Sequence, residues 1–270
     1  MKKRVYIVLS HHHALREWFR YHECKPDLLS FDYHTDFHTA FIRKAGNPGA
    51  CHTYSRERHN LYLKKHISCN DIGAAIKDLR NDEHIDFALR SGMIEKAFVF
   101  SHNGNTFRDV RVVSIPNEKK DFVQAQIFSY CEVAHPLATP YTDSTEAKMA
   151  KINTTDEVLN EVIKTFGEYG FNQDNYILDF DCDFIRDKGA MAYDHFKVLE
   201  ILIKGAKTIT IAQEPGCVFG CSGQKLSYDE VEDWLIQLIK GCVDDVQIEL
   251  DPQALGADEI MPHQTTPTSF

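Results

Sequence analysis

Two short apolar stretches of this chain each end in carboxylates on alternate residues. The first, over residues 28–37, reads LLSFDYHTDF, and the second, over residues 176–184, reads YILDFDCDF. Residues two apart in a strand point to the same side, so each stretch gathers its acids on one face of a strand end. Ionised carboxylates this close repel each other and lose hydration, and a bound cation compensates for both effects. The pattern therefore predicts a metal site where two strands end.

Strand-like apolar runs alternate with helical patterns along the chain. Predicted strands cover residues 4–10, 28–32, 96–102, 110–116, 176–183 and 208–212. Predicted helices cover residues 14–21, 71–80, 85–92, 154–169, 194–205 and 228–240. This alternation predicts an α/β fold with a mainly parallel, buried sheet, in which functional sites gather at the carboxyl ends of strands. Apart from the strand at 110–116, residues 107–152 give no pattern that we can assign.

Length and composition narrow the kind of protein. The 270 residues suit a single catalytic domain over residues 1–250, followed by a Pro- and Thr-rich tail over 251–270 that we expect to be flexible. A formal net charge of −10 argues against a nucleic-acid partner and favours a cationic substrate. No apolar run is long enough to span a membrane, and the cysteines form no CxxC pair. We therefore expect a cytoplasmic protein with reduced thiols and no membrane partner.

The type of ligand indicates the type of metal. Oxygen-rich ligation with a minority of imidazole favours manganese, or a similar divalent ion, over a structural zinc site made of cysteines. The acids and histidines of the two stretches outnumber the ligands that one ion needs, so we infer a two-metal centre. The alternatives are a solvated polar loop for the first stretch and a calcium or turn site for the second.

The two motifs resemble those of a known enzyme superfamily. SFDYHTD is similar to the D-x-H-x-D signature of the arginase and agmatinase (ureohydrolase) superfamily, and LDFDCD is similar to its second signature, D-x-D. The resemblance is confined to islands and implies a three-layer α/β/α sandwich with a mainly parallel sheet. In HHHALREW, after the first strand, His11 is in register with a further metal-binding histidine of the family, with His12 and His13 as alternatives.

The resemblance implies two manganese ions and a set of ligands for each. One ion would be held by His11, Asp36, Asp179 and Asp181. The other would be held by Asp32, His34 and the same two bridging residues, Asp179 and Asp181. His38 and Asp183 lie outside the match, and we expect them to orient the ligands.

Two further residues point to the substrate. Glu214, in TITIAQEPG, falls where arginase-like enzymes carry a glutamate that pairs with the substrate guanidinium, a planar cation that a carboxylate binds with two hydrogen bonds. Alternatively, Glu214 only caps the turn before Pro215. His52, in GNPGACHTYS, is similar to the family histidine that shuttles protons to the departing amine, with His59 and His66 as alternatives.

The chain departs from free-arginine arginases after the first motif. The continuation FHTAFIRKAGNPG has no match for the polar residues that hold the amino acid's α-carboxylate and α-amine. The whole pattern most resembles the peptide arginases, which convert arginine side chains of ribosomally made precursor peptides to ornithine and release urea. The resemblance thus implies a manganese hydrolase of an arginine-containing precursor peptide. A hydrolase of a small guanidino or acyl-amine compound, and an inactive peptide-binding module, are the alternatives.

Overall fold

One sheet organises the part of the chain that the computed structural model describes, namely residues 2–45, 55–68, 71–104, 109–113, 130–136, 155–185, 188–191, 196–218 and 226–252. Its strands are β1 (Lys3–Val8), β2 (Asp27–Phe31), β3 (Ala97–Gly104), β4 (Asp109–Val113), β5 (Tyr130–Pro136), β6 (Tyr176–Asp181), β7 (Ile209–Ala212) and β8 (Val246–Leu250). They lie in the order β4-β5-β3-β2-β6-β7-β1-β8. All neighbours pair in parallel except β4 and β5, which are antiparallel, so the predicted mainly parallel sheet is confirmed.

Helices connect most of these strands. They are α1 (Leu15–Arg20), α2 (Arg56–Ser68), α3 (Ile72–Asp78), α4 (His84–Arg90), α5 (Asp156–Glu168), α6 (Lys188–Met191), α7 (Lys197–Gly205) and α8 (Tyr228–Cys242). Side chains cap several of them: Thr155 accepts a hydrogen bond from the Val158 amide at the start of α5, and Ser227 and Glu230 form a capping box on α8. Within the described ranges, no helix has the length and apolar character that crossing a membrane requires.

The two faces of the sheet are buried in separate apolar cores. Val5 and Ile7 of β1 belong to one core, and Tyr6 of the same strand belongs to the other, as the period of two requires. Helices α5, α7 and α8 contribute to the first core, whereas α1, α2, α3 and α4 contribute to the second. Helices therefore cover both faces, an arrangement consistent with the predicted three-layer α/β/α sandwich.

Four adjacent strands position the polar residues of interest. In the sheet order, β2, β6, β7 and β1 are neighbours and run in parallel, so their carboxyl ends meet at one edge. The chain leaves β1 and β6 through short 3-10 turns over His11–Ala14 and Cys182–Phe184. The second turn begins inside the strand predicted over 176–183. The sheet order thus brings the segments that follow β1, β2, β6 and β7, which are distant in sequence, to the same edge of the sheet.

Candidate metal centre and a neighbouring glutamate

His11 lies at the centre of an acidic cluster. Its side chain is completely buried, and its Nδ1 atom is 2.8 Å from Asp36 Oδ2, 3.4 Å from Asp181 Oδ2 and 3.5 Å from Asp32 Oδ2. The three carboxylates come from the segment after β2 and from the end of β6. One ligand atom from each of the four residues lies within 4.8 Å of the others, so together they could hold a metal ion.

A second group adjoins the first and shares Asp32 with it. Asp32, His34 and Asp183 also bring ligand atoms within 4.8 Å of one another. His34 Nδ1 is 3.1 Å from Asp183 Oδ2 and 3.9 Å from Asp32 Oδ1. The backbone fixes both acids, because the His34 amide donates to Asp32 Oδ1 at 2.7 Å and the Tyr33 amide donates to Asp183 Oδ1 at 3.1 Å.

Asp179, which we expected to bridge two metal ions, is instead bound by other side chains. It stands in register with Ser30 of β2 and Thr210 of β7, and both hydroxyls donate to its carboxylate. The His11 Nε2 atom lies 2.7 Å from Asp179 Oδ2. These three partners engage the carboxylate within the sheet, so Asp179 lies outside both groups of possible ligands. Asp183, which we expected to orient ligands, takes part in one instead.

Burial and mutual repulsion shape the protonation of the cluster. Burial raises the pKa of Asp32 well above its ordinary value, and the charges of Asp36, Asp181 and Asp183 raise it further. Burial also raises the pKa values of Asp36 and Asp181. For His11, burial lowers the pKa, but the surrounding carboxylates outweigh this effect and raise it well above the ordinary value. A bound cation would relieve the same repulsion.

Several polar atoms of the cluster lack a hydrogen bond. Among the described residues, His11 Nδ1, Asp32 Oδ2 and Asp183 Oδ2 are buried without a partner of suitable geometry, although charged atoms lie near them. A buried polar atom without a hydrogen bond is unfavourable, and all three are imidazole nitrogens or carboxylate oxygens, atom types that can bind a metal ion. The set of carboxylates and imidazoles therefore fits a hard or borderline divalent cation such as manganese.

Glu214 reaches the edge of this cluster from the end of β7. Its Oε1 atom accepts a hydrogen bond from the His11 amide at 2.8 Å and a longer one from the Ser10 hydroxyl at 3.4 Å. Its Oε2 atom accepts from Asn81 Nδ2 at 3.2 Å and lies 3.5 Å from Cys217 Sγ. The turn predicted after Glu214 also exists, since the Cys217 amide donates to the Glu214 carbonyl at 2.8 Å.

Two site residues adopt a backbone conformation that side chains disfavour. Asp36 and Glu214 both have a φ of 41°, in the left-handed region. Each such residue costs on the order of 1 kcal/mol, and this cost is tolerated where surrounding contacts define the conformation. At Glu214 the amide donates to the Leu9 carbonyl at 3.0 Å, which ties the strained residue to the end of β1.

The three consecutive histidines have separate environments. Only His11 of the triplet faces the acidic cluster. His12 Nδ1 lies 3.0 Å from the Ser10 hydroxyl, and burial and the neighbouring histidines lower its pKa to about 3. His13 Nδ1 lies 3.6 Å from Asp251 Oδ1, on the side of β8.

The other predicted histidines lie elsewhere. His52 is outside the described residues. His59 and His66 belong to α2, where His59 Nε2 donates to the Ala40 carbonyl at 2.8 Å and His66 Nε2 lies 2.9 Å from Asp78 Oδ2. His38 is 62% exposed, and its imidazole is oriented towards Asp82, at 3.9 Å, so it does not orient the ligands of either group.

His84 is a buried neighbour of the cluster that the sequence did not indicate. Its ring centroid lies 4.4 Å from that of His11 and 5.3 Å from that of Trp18, and His84 forms a further possible ligand group with His11 and Asp36. Nδ1 lies 2.6 Å from the Asn81 carbonyl, and because a carbonyl only accepts, Nδ1 carries the proton. Nothing in NDEHIDF marks this histidine, because it starts a helix far along the chain from both motifs.

No family model matches the chain, and no curated protein shows significant similarity to it.

Proposed function

We propose that this protein is a manganese-dependent hydrolase with an arginase-like fold that cleaves the guanidinium group of an arginine in a precursor peptide. The products would be peptidyl-ornithine and urea. The observation that supports this most is the position of Glu214, which is hydrogen-bonded to His11 beside two possible metal-ligand groups that share Asp32. A carboxylate at the edge of a metal centre is suited to hold a planar cation next to it.

The ligand sets that we propose follow the geometry rather than the first expectation. One ion would be held by His11, Asp32, Asp36 and Asp181. The other would be held by Asp32, His34 and Asp183. Ions bound in this way would supply a hydroxide nucleophile at neutral pH, because divalent metals lower the pKa of the water that they bind.

Asp179 would act through His11. Its carboxylate accepts a hydrogen bond from His11 Nε2, which leaves Nδ1 directed towards Asp36, Asp32 and Asp181. Such a carboxylate fixes the tautomer and orientation of a metal-binding imidazole and increases its basicity. Ser30 and Thr210 hold Asp179 in turn, so the orientation of His11 is defined by three adjacent strands.

Glu214 keeps the capacity to bind a guanidinium. A carboxylate has about four acceptor positions, and each oxygen of Glu214 receives one hydrogen bond of 3.2 Å or shorter from the protein. The second contact on each oxygen is long, from Ser10 Oγ at 3.4 Å and from Cys217 Sγ at 3.5 Å, so the two parallel N–H groups of an arginine side chain would displace these weaker donors. This role is compatible with the turn that Glu214 also forms, because the turn uses its backbone.

The segment after the first motif favours a peptide over free arginine. The amides of Ala40 and Phe41 donate to the buried carboxylates of Asp86 and Glu83, at 2.8 and 3.1 Å, and the His38 amide donates to the Asp82 carbonyl. These backbone donors are satisfied within the protein and are not available to the α-carboxylate of an amino acid. In a peptide substrate the α-carboxylate and the α-amine are already part of amide bonds.

Urea release from defined substrates tests the proposal. Manganese-loaded protein is incubated with an arginine-containing precursor peptide, the same peptide with lysine in place of arginine, free arginine and agmatine. We expect urea from the arginine peptide, with little or none from free arginine. The Glu214→Ala variant, with its metal content measured, serves as the inactive control. Turnover of agmatine or free arginine without turnover of any peptide would contradict the proposed substrate class.

His52 stays the predicted proton donor to the departing amine. The pH dependence of urea release, compared between the wild-type protein and His52→Ala, tests this prediction. We expect a large loss of kcat in the variant.

A further inference from the structure

A closed ring of contacts joins Glu214 to His11 through two residues at the start of α4. His11 donates its amide to Glu214 Oε1 at 2.8 Å, and Asn81 donates its side-chain amide to Glu214 Oε2 at 3.2 Å. His84 donates from Nδ1 to the Asn81 carbonyl at 2.6 Å, and its ring packs at 4.4 Å on that of His11. The ring of contacts thus connects the acidic cluster with both oxygens of the neighbouring carboxylate.

The two oxygens of Glu214 are held from different directions. The terminal torsion of a glutamate side chain is broad, so a carboxylate that is bound at only one oxygen can rotate about its last bond. The His11 amide fixes Oε1, and the Asn81 amide fixes Oε2. The Cys217 thiol also contacts Oε2, at 3.5 Å, but a thiol is a weak donor, so the Asn81 contact is the stronger of the two and defines the plane of the carboxylate.

Asn81 is itself held in place. Its carbonyl is bound by His84, whose side chain is completely buried and lies between the rings of Trp18 and His11. The partner of Glu214 is therefore built on a rigid part of the fold rather than on a free loop end.

We propose that Asn81 is a positioning residue that orients the Glu214 carboxylate for two-point binding of a guanidinium. This inference rests on the proposed function of Glu214 in substrate binding. A guanidinium presents two parallel N–H groups in one plane, so it requires a defined carboxylate plane. An ammonium group binds as a point charge and does not have this requirement. Asn81 thus contributes to the preference for arginine over lysine.

The test compares how variants bind the two side-chain chemistries. We measure kcat and KM for urea release from the arginine peptide, the inhibition constant of the matching lysine peptide, and manganese content. Asn81→Ala is the test variant, and Asn81→Ser, too short to reach Glu214, is the second if alanine impairs folding. Asn175→Ala is the matched control, because its side-chain amide binds the Cys24 carbonyl at the amino end of β6.

For Asn81→Ala we expect KM for the arginine peptide to rise about tenfold, the magnitude typical of a lost hydrogen bond to a charged group. Manganese content and inhibition by the lysine peptide should stay as in the wild-type protein, and Asn175→Ala should match it throughout. An unchanged KM, a loss of manganese, or an equal weakening of both peptides would each overturn this role. If Asn81→Ala gives one of these three results while the wild-type protein releases urea from the peptide, the role of Asn81 is rejected and the proposed function stands. If the wild-type protein releases no urea from the peptide, both fall.

Discussion

His11, in the turn after β1, and Asp179 of β6 form a buried pair, with 2.7 Å between Nε2 and Oδ2. Because a carboxylate accepts, Nε2 carries the proton and Nδ1 is left to face Asp36, Asp32 and Asp181. An imidazole that donates from one nitrogen to a carboxylate and offers the other to a cation is the common arrangement in metal sites. We therefore expect His11 to bind a metal ion and Asp179 to orient the His11 imidazole.

Asp179 and Asp183 should therefore differ in their effect on metal binding. We expect Asp183→Asn to lose one of two manganese ions, because it weakens the group formed with Asp32 and His34. We expect Asp179→Asn to keep both ions but with affinity reduced about 10–100-fold, as is typical when a residue that orients a ligand is changed. Equilibrium dialysis with elemental analysis measures both quantities. Loss of an ion in Asp179→Asn and full occupancy in Asp183→Asn would restore the original assignment of Asp179 as a bridging ligand.

Substitutions of Asp181 and of Glu214 should differ in their effects on metal content and on urea release. Asp181→Ala removes a carboxylate from the group formed by His11, Asp32 and Asp36, so we expect it to lose the ion held there, one of the two. Glu214→Ala should retain both ions and lose urea release, since Glu214 binds backbone and side-chain donors beside the groups of possible ligands. Metal content and turnover are measured on the same preparations. Equal metal loss in the two variants would contradict this division of roles.

Asp86 anchors the segment that follows the first motif. It is buried and accepts hydrogen bonds from the Ala40 amide at 2.8 Å and from Arg90 Nε at 2.6 Å. Asp86→Ala would leave the Ala40 amide without this acceptor, and we expect a loss of about 1–3 kcal/mol in the free energy of unfolding. Urea denaturation measures this loss. Glu200→Ala, which removes an exposed ion pair with Lys204, should change stability by at most about 0.5 kcal/mol. Similar values for the two variants would show that Asp86 is not an anchor.

Asp27 should make stability depend on pH. Burial raises the pKa of this carboxyl from 3.8 to about 6 in the folded protein. The folded state then binds more protons than the unfolded state between these two values, so the contribution of Asp27 to stability falls as pH rises through this range. The full free-energy cost of holding the Asp27 carboxylate ionised in its buried site is present above about pH 6 and absent below about pH 4.

Asp27→Asn should remove that cost. We expect the variant to be more stable than the wild-type protein by up to about 2 kcal/mol at pH 8 and nearly equal to it at pH 4. Urea unfolding at both pH values gives the difference. A gain that is the same at the two pH values would assign the effect to something other than ionisation of Asp27.

The sequence predicted most of the sheet because its central strands are apolar on both faces. The runs KRVYIV and YILDFD, which form β1 and β6, are buried almost throughout and are easily recognised. The strand β8 was missed because VQIEL lies at the edge of the sheet, is only partly buried and alternates weakly. Helix α2 was missed because polar residues surround it on most sides, so RERHNLYLKKHIS lacks a clear apolar stripe.

The site was less predictable than the strands. The D-x-H-x-D motif and the acids after β6 indicated the cluster, because alternation places such residues on one face. Alternation could not tell which two of Asp179, Asp181 and Asp183 join the groups of possible metal ligands. That choice depends on the register with Ser30 and Thr210, which lie on other strands. Asn81 and His84 could not be predicted for the same reason, since their contacts are made across the fold.

Crystals grown with manganese test the central claim most directly, through anomalous diffraction measured at the manganese absorption edge. We predict two peaks, one among His11, Asp32, Asp36 and Asp181 and the other among Asp32, His34 and Asp183. The absence of any peak in this cluster, at a manganese concentration that saturates binding in solution, would contradict the two-metal centre.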